Sequence, residues 1–324
     1  MKMIYIRNLF ILLFMLPLVV RAQEIFSPSG YQSAMISNPG MTGSEGNGYI
    51  RLSYLNYYPG NSFNLHSAMV SYDGYFPSLH GGAGIYLSDN YLGGMINDVR
   101  GGLSYSYYFQ AGEKLFISAG LSGSFYHRGY DFGGAILPDQ IDPLHGAVYP
   151  SGEALSAQGR TVFDIGTGFL LMTDRFFGGI SVSHLAQPDL TSTDFTDEKL
   201  LRSILLHLSV DVGIDREKNL LLRPTGELKF QGDLITSGIG AAFESNYLAF
   251  NTLLYLNNLK NIDLQAGFNI NPGAGIIIFY NYRFNIASPE NLLPVTVLHH
   301  AGVAVSLNNV DKRKIVKTIN FPKL

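Results

Sequence analysis

The chain has no cysteine and no tryptophan, and only 15% of its 324 residues are charged. Without cysteine there is neither a disulfide framework nor a thiolate metal site, although an exported chain would be free to form disulfides. Packing and hydrogen bonding therefore carry the fold. Soluble domains hold about 25% charged residues, so the scarcity of charge points away from an ordinary water-facing surface. Long apolar runs are scarce as well. The stretch Leu9 to Val20 is about a dozen residues, short of the roughly 20 that a spanning helix needs, and no other segment is long and apolar enough. With Lys2 and Arg7 ahead of it and Val20-Arg21-Ala22 behind it, that stretch has the order of a secretory signal peptide. Residues 1–22 are therefore expected to be a signal peptide cleaved between Ala22 and Gln23. Removing Lys2, Arg7 and Arg21 from the 22 basic residues leaves 19 against 25 acidic ones, a formal charge of −6 that argues against a nucleic-acid surface.

What the chain has in quantity is 36 Gly, 20 Tyr and 21 Phe, with 46% hydrophobic residues spread through it and no long apolar block. That composition suits a membrane barrel, in which every second side chain faces lipid. A soluble β-sandwich or lectin is the competing class.

Period-two alternation recurs along the chain. In 99–109, Val99, Gly101, Leu103, Tyr105, Tyr107 and Phe109 share one face, and Arg100, Gly102, Ser104, Ser106 and Tyr108 the other. In 204–213, Ile204, Leu206, Leu208, Val210 and Val212 oppose Leu205, His207, Ser209, Asp211 and Gly213. In 262–269, Ile262, Leu264, Ala266 and Phe268 oppose Asp263, Gln265, Gly267 and Asn269. Segments of this length exceed an ordinary globular strand and approach the roughly 9 to 11 residues that cross a bilayer at a tilt. The pattern predicts strands near 48–57, 63–73, 81–89, 98–109, 114–127, 160–172, 175–185, 203–215, 219–230, 234–244, 246–257, 260–270, 274–285 and 295–308. About fourteen strands, an even number, is what single-chain bacterial barrels have.

The connections sort by parity. Those after odd-numbered strands include the long ones, 128–159 and 186–202, whereas the longest after an even-numbered strand is 74–80. Outer-membrane barrels alternate short periplasmic turns with longer outer loops, so both chain ends are expected in the periplasm. The fold class is thus all-β, a transmembrane antiparallel β-barrel of the outer membrane. Its parts are the signal peptide 1–22, a segment 23–47 that could sit in the periplasm or the lumen, a barrel over 48–309, and a basic tail 310–324. Closure follows from the hydrocarbon, which leaves no backbone group free to bond to water.

Particular residues resemble the PorP/SprF family of outer-membrane proteins of the Bacteroidota type IX secretion system, over nearly the whole mature chain. They are Asn38-Pro39 followed by Gly43-Ser44, Ser71-Tyr72-Asp73, and Gly81-Gly82-Ala83-Gly84. Further on come Ser104-Tyr105-Ser106-Tyr107, Ser183-His184-Leu185-Ala186-Gln187-Pro188, and His299-His300. Gly40-Met41 departs from the family's Ala-aromatic pair, and the tail runs past the last strand. The resemblance implies a part in secreting or surface-anchoring large secreted proteins, adhesins of gliding motility among them. It implies as partners the periplasmic and lipoprotein components of that system and secreted proteins with C-terminal sorting domains, besides outer-membrane lipid. The alternative is a passive or substrate-specific outer-membrane channel.

Candidate chemistry is thin. A hydrolase would need a nucleophile, a His base and a carboxylate converging near the rim. His127, Asp131, Asp139, Asp142 and His145 cluster around the longest loop, yet no pair has the spacing of a zincin helix. The plainer reading is solvated loop residues. His207, Ser209 and Asp211 share the polar face of one strand and point into the lumen, as a polar ladder filling the barrel or as part of a proton-linked path. His299 and His300 fall on opposite faces and cannot chelate as neighbours. Gly81-Gly82-Ala83-Gly84 precedes no helix, so it marks a strand start and not a phosphate loop. Tyr54, Tyr57, Tyr58, Tyr107, Tyr108, Phe109, Tyr280 and Tyr282, near strand ends, are expected in the interfacial girdles. Lys312, Arg313, Lys314, Lys317 and Lys323 make the tail a solvated end or a docking segment for an acidic periplasmic partner. No catalytic, cofactor or metal residue is assigned, and the chain is read as non-enzymatic.

Overall fold

A computed structural model describes residues 34–60, 65–94, 96–131, 136, 138–142, 144–152, 159–190, 199–215, 220–288 and 297–307. Among them fourteen strands form one closed antiparallel barrel. They are β1 Tyr49–Tyr57, β2 Leu65–Phe76, β3 Gly81–Leu92, β4 Ile96–Gln110, β5 Phe116–Tyr130, β6 Arg160–Met172 and β7 Phe176–Ser183. Then come β8, in two pieces Ser203–Val210 and Val212–Gly213, β9 Leu221–Gln231, β10 Leu234–Glu244, β11 Leu248–Asn257, β12 Ile262–Gly273, β13 Ile276–Ala287 and β14 Val297–Ser306. Every strand pairs with its chain neighbour, and β14 returns to β1 through Tyr49↔Ser306 to Tyr57↔Leu298. No sheet edge is left open to lipid, as a hydrocarbon surrounding requires.

The alternation decides which face is which. On β4, Asp98, Ser104, Ser106 and Tyr108 are buried while Leu103, Tyr105, Tyr107 and Phe109 are exposed. On β8, Ser203, His207 and Ser209 are buried between exposed Ile204, Leu206 and Leu208. In a membrane barrel the exposed apolar face meets lipid, so burial here means the lumen. The interior therefore combines many buried polar groups with an apolar cluster of Ala34, Met41, Tyr75, Tyr108, Phe116, Leu170, Met172 and Phe177.

Each strand lies within three residues of its predicted limits at both ends. The connections needed more correction. Strands β3 and β4 continue through Leu92 and from Ile96, which shrinks the expected loop 90–97 to 93–95. The connection 214–220, after an even strand, is longer than that loop and longer than 232–233. Parity thus sorts the two longest loops, now 131–159 and 184–202, and not every turn. Two girdle expectations also change: Tyr108 is buried on the lumen face, and Tyr57, like Leu65 and Leu92, packs against the buried pair Leu55 and Leu298. Tyr54, Tyr107 and Phe109 do face outward. The expected signal peptide and tail lie outside the described residues, and among the described residues no helix is long and apolar enough to cross a membrane.

Candidate functional site

A short N-terminal stretch inside the barrel is densely hydrogen-bonded to the wall. Asn38 caps a one-turn 3₁₀ helix, Pro39–Met41, with its side-chain oxygen accepting the Gly40 N–H at 2.8 Å. Proline at the first helical position has a fixed φ suited to that turn and lacks an N–H that would need a partner. The Thr42 hydroxyl then closes back on the Pro39 carbonyl at 2.8 Å. Asn38 and Thr42 are fully buried and Met41 nearly so.

This knot is held by groups on the β1–β8 side of the wall, most of which donate to its backbone. Ser181 of β7 donates to the Ser37 carbonyl at 2.6 Å, and Ser118 of β5 to the Gly40 carbonyl at 2.8 Å. On β4, Ser106 and Tyr108 both donate to the Thr42 carbonyl, at 2.7 and 2.8 Å, while the Ser104 and Thr42 hydroxyls lie 2.7 Å apart. Asp73 of β2 accepts the Gly43 N–H at 2.7 Å, and Arg51 of β1 joins Asp73 to Glu45. Across the lumen, the Asn38 amide nitrogen donates to the Phe169 carbonyl of β6 at 3.2 Å and lies 3.0 Å from His207 Nε2 on β8. Because the amide oxygen is taken by Gly40 N–H, the nitrogen must be the donor, and His207 Nε2 accepts.

Seven strands thus fasten one segment, which crosses the lumen as a floor near the end from which β1 departs. The close approach needs missing side chains in the wall. A Cβ on Gly168 would stand 1.9 Å from Asn38 Oδ1, and one on Gly82 would stand 1.9 Å from the Thr42 carbonyl oxygen. Gly82 belongs to the run that resembled a phosphate loop; it makes room for the floor.

Elsewhere the lumen is filled by ion pairs and rings. Arg128 makes a bidentate pair with Asp98 at 2.7 Å for both bonds, and Arg100 lies over the rings of Tyr126 and Tyr86. His184 Nδ1 meets Asp164 at 2.8 Å, both fully buried. Arg283 pairs with Asp263 at 3.0 Å and stands 3.9 Å over the Tyr255 ring. Arg223 holds Asp211 at 2.6 Å and Glu244 at 3.0 Å. The ladder expected from His207, Ser209 and Asp211 therefore divides: His207 turns to the floor and Asp211 to Arg223.

The loop residues do not come together as a catalytic group. His127 faces outward and bonds the Thr161 hydroxyl at 2.8 Å, and Asp131 is exposed just past β5. Asp139 accepts from Gly152 N–H and Ser151, and Asp142 from Leu144 N–H, His145 and Tyr149. The Gly152 N–H holds the Asp139 carboxyl below the usual carboxylate range, as the Leu144 N–H and then His145 do for Asp142. Among the described residues no three of His, Asp and Glu gather as a metal site. His299 and His300 part as expected: His300 is buried against Phe279, and His299 meets the Tyr280 hydroxyl at 2.7 Å.

A closed antiparallel barrel, apolar outside and holding its own N-terminal segment inside the lumen, defines a membrane protein of outer-membrane type. The chain belongs to the family described as type IX secretion system membrane protein PorP/SprF, which matches residues 22–293. No curated protein matches it. Among solved structures it is similar to a deltaS2S3 mutant of the TodX monoaromatic hydrocarbon channel, with TM-score 0.54 and 14% identity over 87% of this chain and 95% of that one. It is also similar to the Ralstonia pickettii toluene transporter TbuX, with TM-score 0.51 and 13% identity over 88% and 94%. The Pseudomonas putida toluene transporter TodX follows, with TM-score 0.50 and 14% identity over 89% and 95%. At such identities the likeness is one of fold: an outer-membrane barrel. Asn38, Asp73, Gly82, Ser104, Ser106 and His184, which lie in the stretches that carried the family resemblance, take part in the floor or in the buried pair above it. Their roles in the floor were hidden because their partners come from across the lumen.

Proposed function

We propose that this chain is a non-enzymatic barrel subunit of the type IX apparatus that supports the secretion or surface anchoring of large exported proteins with C-terminal sorting domains. The observation that carries the reading is the floor: a lumen crossed by a segment bonded to seven strands suits a docking platform better than a conduit. After cleavage between Ala22 and Gln23, loops 131–159 and 184–202 face the exterior. Both chain ends then lie in the periplasm, where the secretion system's periplasmic and lipoprotein components are met. A strain lacking the protein is expected to lose most surface display of its sorting-domain proteins, measured by surface proteolysis and quantitative mass spectrometry. Undiminished display of all of them would refute the reading. The basic tail is assigned to the periplasmic contact, since clustered cations attract acidic surfaces. Deleting residues 311–324 should leave the barrel assembled and reduce several-fold the periplasmic components that co-purify in mild detergent; unchanged recovery would remove the tail from the interface.

The structural neighbours, a hydrocarbon channel and toluene transporters, favour a second reading as a channel. The two readings part on whether current or solute passes the floor.

A further inference from the structure

The longest loop carries a small folded platform of its own. Ile141–Asp142 pairs with Gly146–Ala147, and the Gln140 carbonyl accepts Val148 N–H at 3.0 Å and Tyr149 N–H at 3.2 Å. Asp142 gathers the tip, accepting Leu144 N–H and His145 N–H at 2.8 Å each, His145 Nδ1 at 2.9 Å and the Tyr149 hydroxyl at 3.0 Å. Asp139 anchors the return strand through Ser151 and Gly152 N–H. On this braced hairpin Ile141, Val148 and Tyr149 are all exposed, and Leu144 at its tip is 89% exposed. A mobile loop would lose much of its binding energy in becoming ordered; a hairpin already held by internal bonds does not.

The surroundings select the partner. Residues 131–159 contain Asp131, Asp139, Asp142 and Glu153 and neither Lys nor Arg. A loop of that charge is repelled by anionic head groups and by the same loop on a second copy, and it draws a cationic surface. We propose that the hairpin 141–149 is a docking site for an exported protein domain presenting an apolar pocket, filled by Leu144 and fringed by Lys or Arg. The inference rests on the outward orientation and secretion role proposed above, and it supplies the recognition chemistry.

The test places a photoreactive phenylalanine at Leu144, and separately at Ile239 on the lipid face, in the full chain in intact cells, with heat-modifiable migration confirming assembled barrels. Irradiation is expected to give an adduct with an exported protein from position 144 and not from 239, with Lys or Arg beside the crosslinked peptide. Its yield should fall roughly tenfold between about 0.05 and 0.5 M salt, as a screened charge contact requires. Adducts with lipid, with a second copy or with nothing would overturn the proposal, and so would an adduct indifferent to salt. If the deletion strain loses surface display while position 144 gives no adduct, the docking site fails and the secretion role stands; if display is intact, the role itself fails.

Discussion

In planar bilayers the intact chain is expected to carry little steady current, and a variant lacking residues 24–43 should conduct at least about tenfold more per molecule. The floor is the reason. It spans from Asp73 of β2 to His207 of β8, and its removal uncovers Ser104, Ser106, Ser118 and Ser181 besides those two. These polar groups lie beside the apolar Tyr75, Phe116, Leu170, Met172 and Phe177 that cluster with Met41, and water entering would satisfy the hydroxyls that now donate to carbonyls of the floor. The sheet itself stays closed, because none of the strand pairings uses residues 34–47. An assembled but leaky barrel is the expected product. Equal currents from the two proteins would mean that the passage is blocked elsewhere, and the floor would lose its role as the seal.

A second variant reaches the same end without a deletion. Gly168→Leu would drive a side chain into Asn38, where even a Cβ comes within 1.9 Å of its amide oxygen. The side chain cannot turn aside, since Asn38 is fully buried between β6 and β8. The segment has to lift from the wall, and the conductance should rise in the same direction. Concordant results from both variants would separate unseating of the floor from any damage that the deletion itself causes.

The barrel was legible because its governing signal is local. Alternation along β4 or β8 needs only neighbouring residues, and the requirement for closure follows from the surroundings alone. Tyr108 shows how far that signal reaches. Parity along 99–109 groups it with Ser104 and Ser106, on the face that is now the lumen, whereas its place near a strand end suggested the girdle; parity wins because Tyr107 beside it already faces lipid. The floor was another matter. Asn38 and His207 are 169 residues apart, and Ser106 and Thr42 are 64 apart. No window of sequence contains both partners, and glycine at 82 or 168 reads as a weak strand residue until the segment it admits is known. The family resemblance did mark Asn38-Pro39 and Gly81-Gly82-Ala83-Gly84, though not their meeting.

Arg223→Met should be the most damaging substitution among the lumen charges, lowering the free energy of unfolding in detergent by about 3–5 kcal/mol, read from a urea titration of the heat-modifiable band. Arg223 is 4% exposed and lies between two carboxylates, Asp211 at 2.6 Å and Glu244 at 3.0 Å. Methionine keeps most of the length and removes the charge, so two anions are left facing each other in a confined lumen with nothing between them. The cost comes from that exposure of like charges and not from the lost attraction, which desolvation of the arginine largely offsets. Adding Asp211→Asn and Glu244→Gln to Arg223→Met should therefore return more than half of the lost stability. Lys114 and Asp174 supply the contrast. They pair at 2.8 Å, but with side chains 73% and 37% exposed, so Lys114→Met should cost no more than about 1 kcal/mol. A loss at Arg223 no larger than that would mean water already reaches the pair, and the β8–β10 side of the lumen would then be wet while the floor beside it is dry.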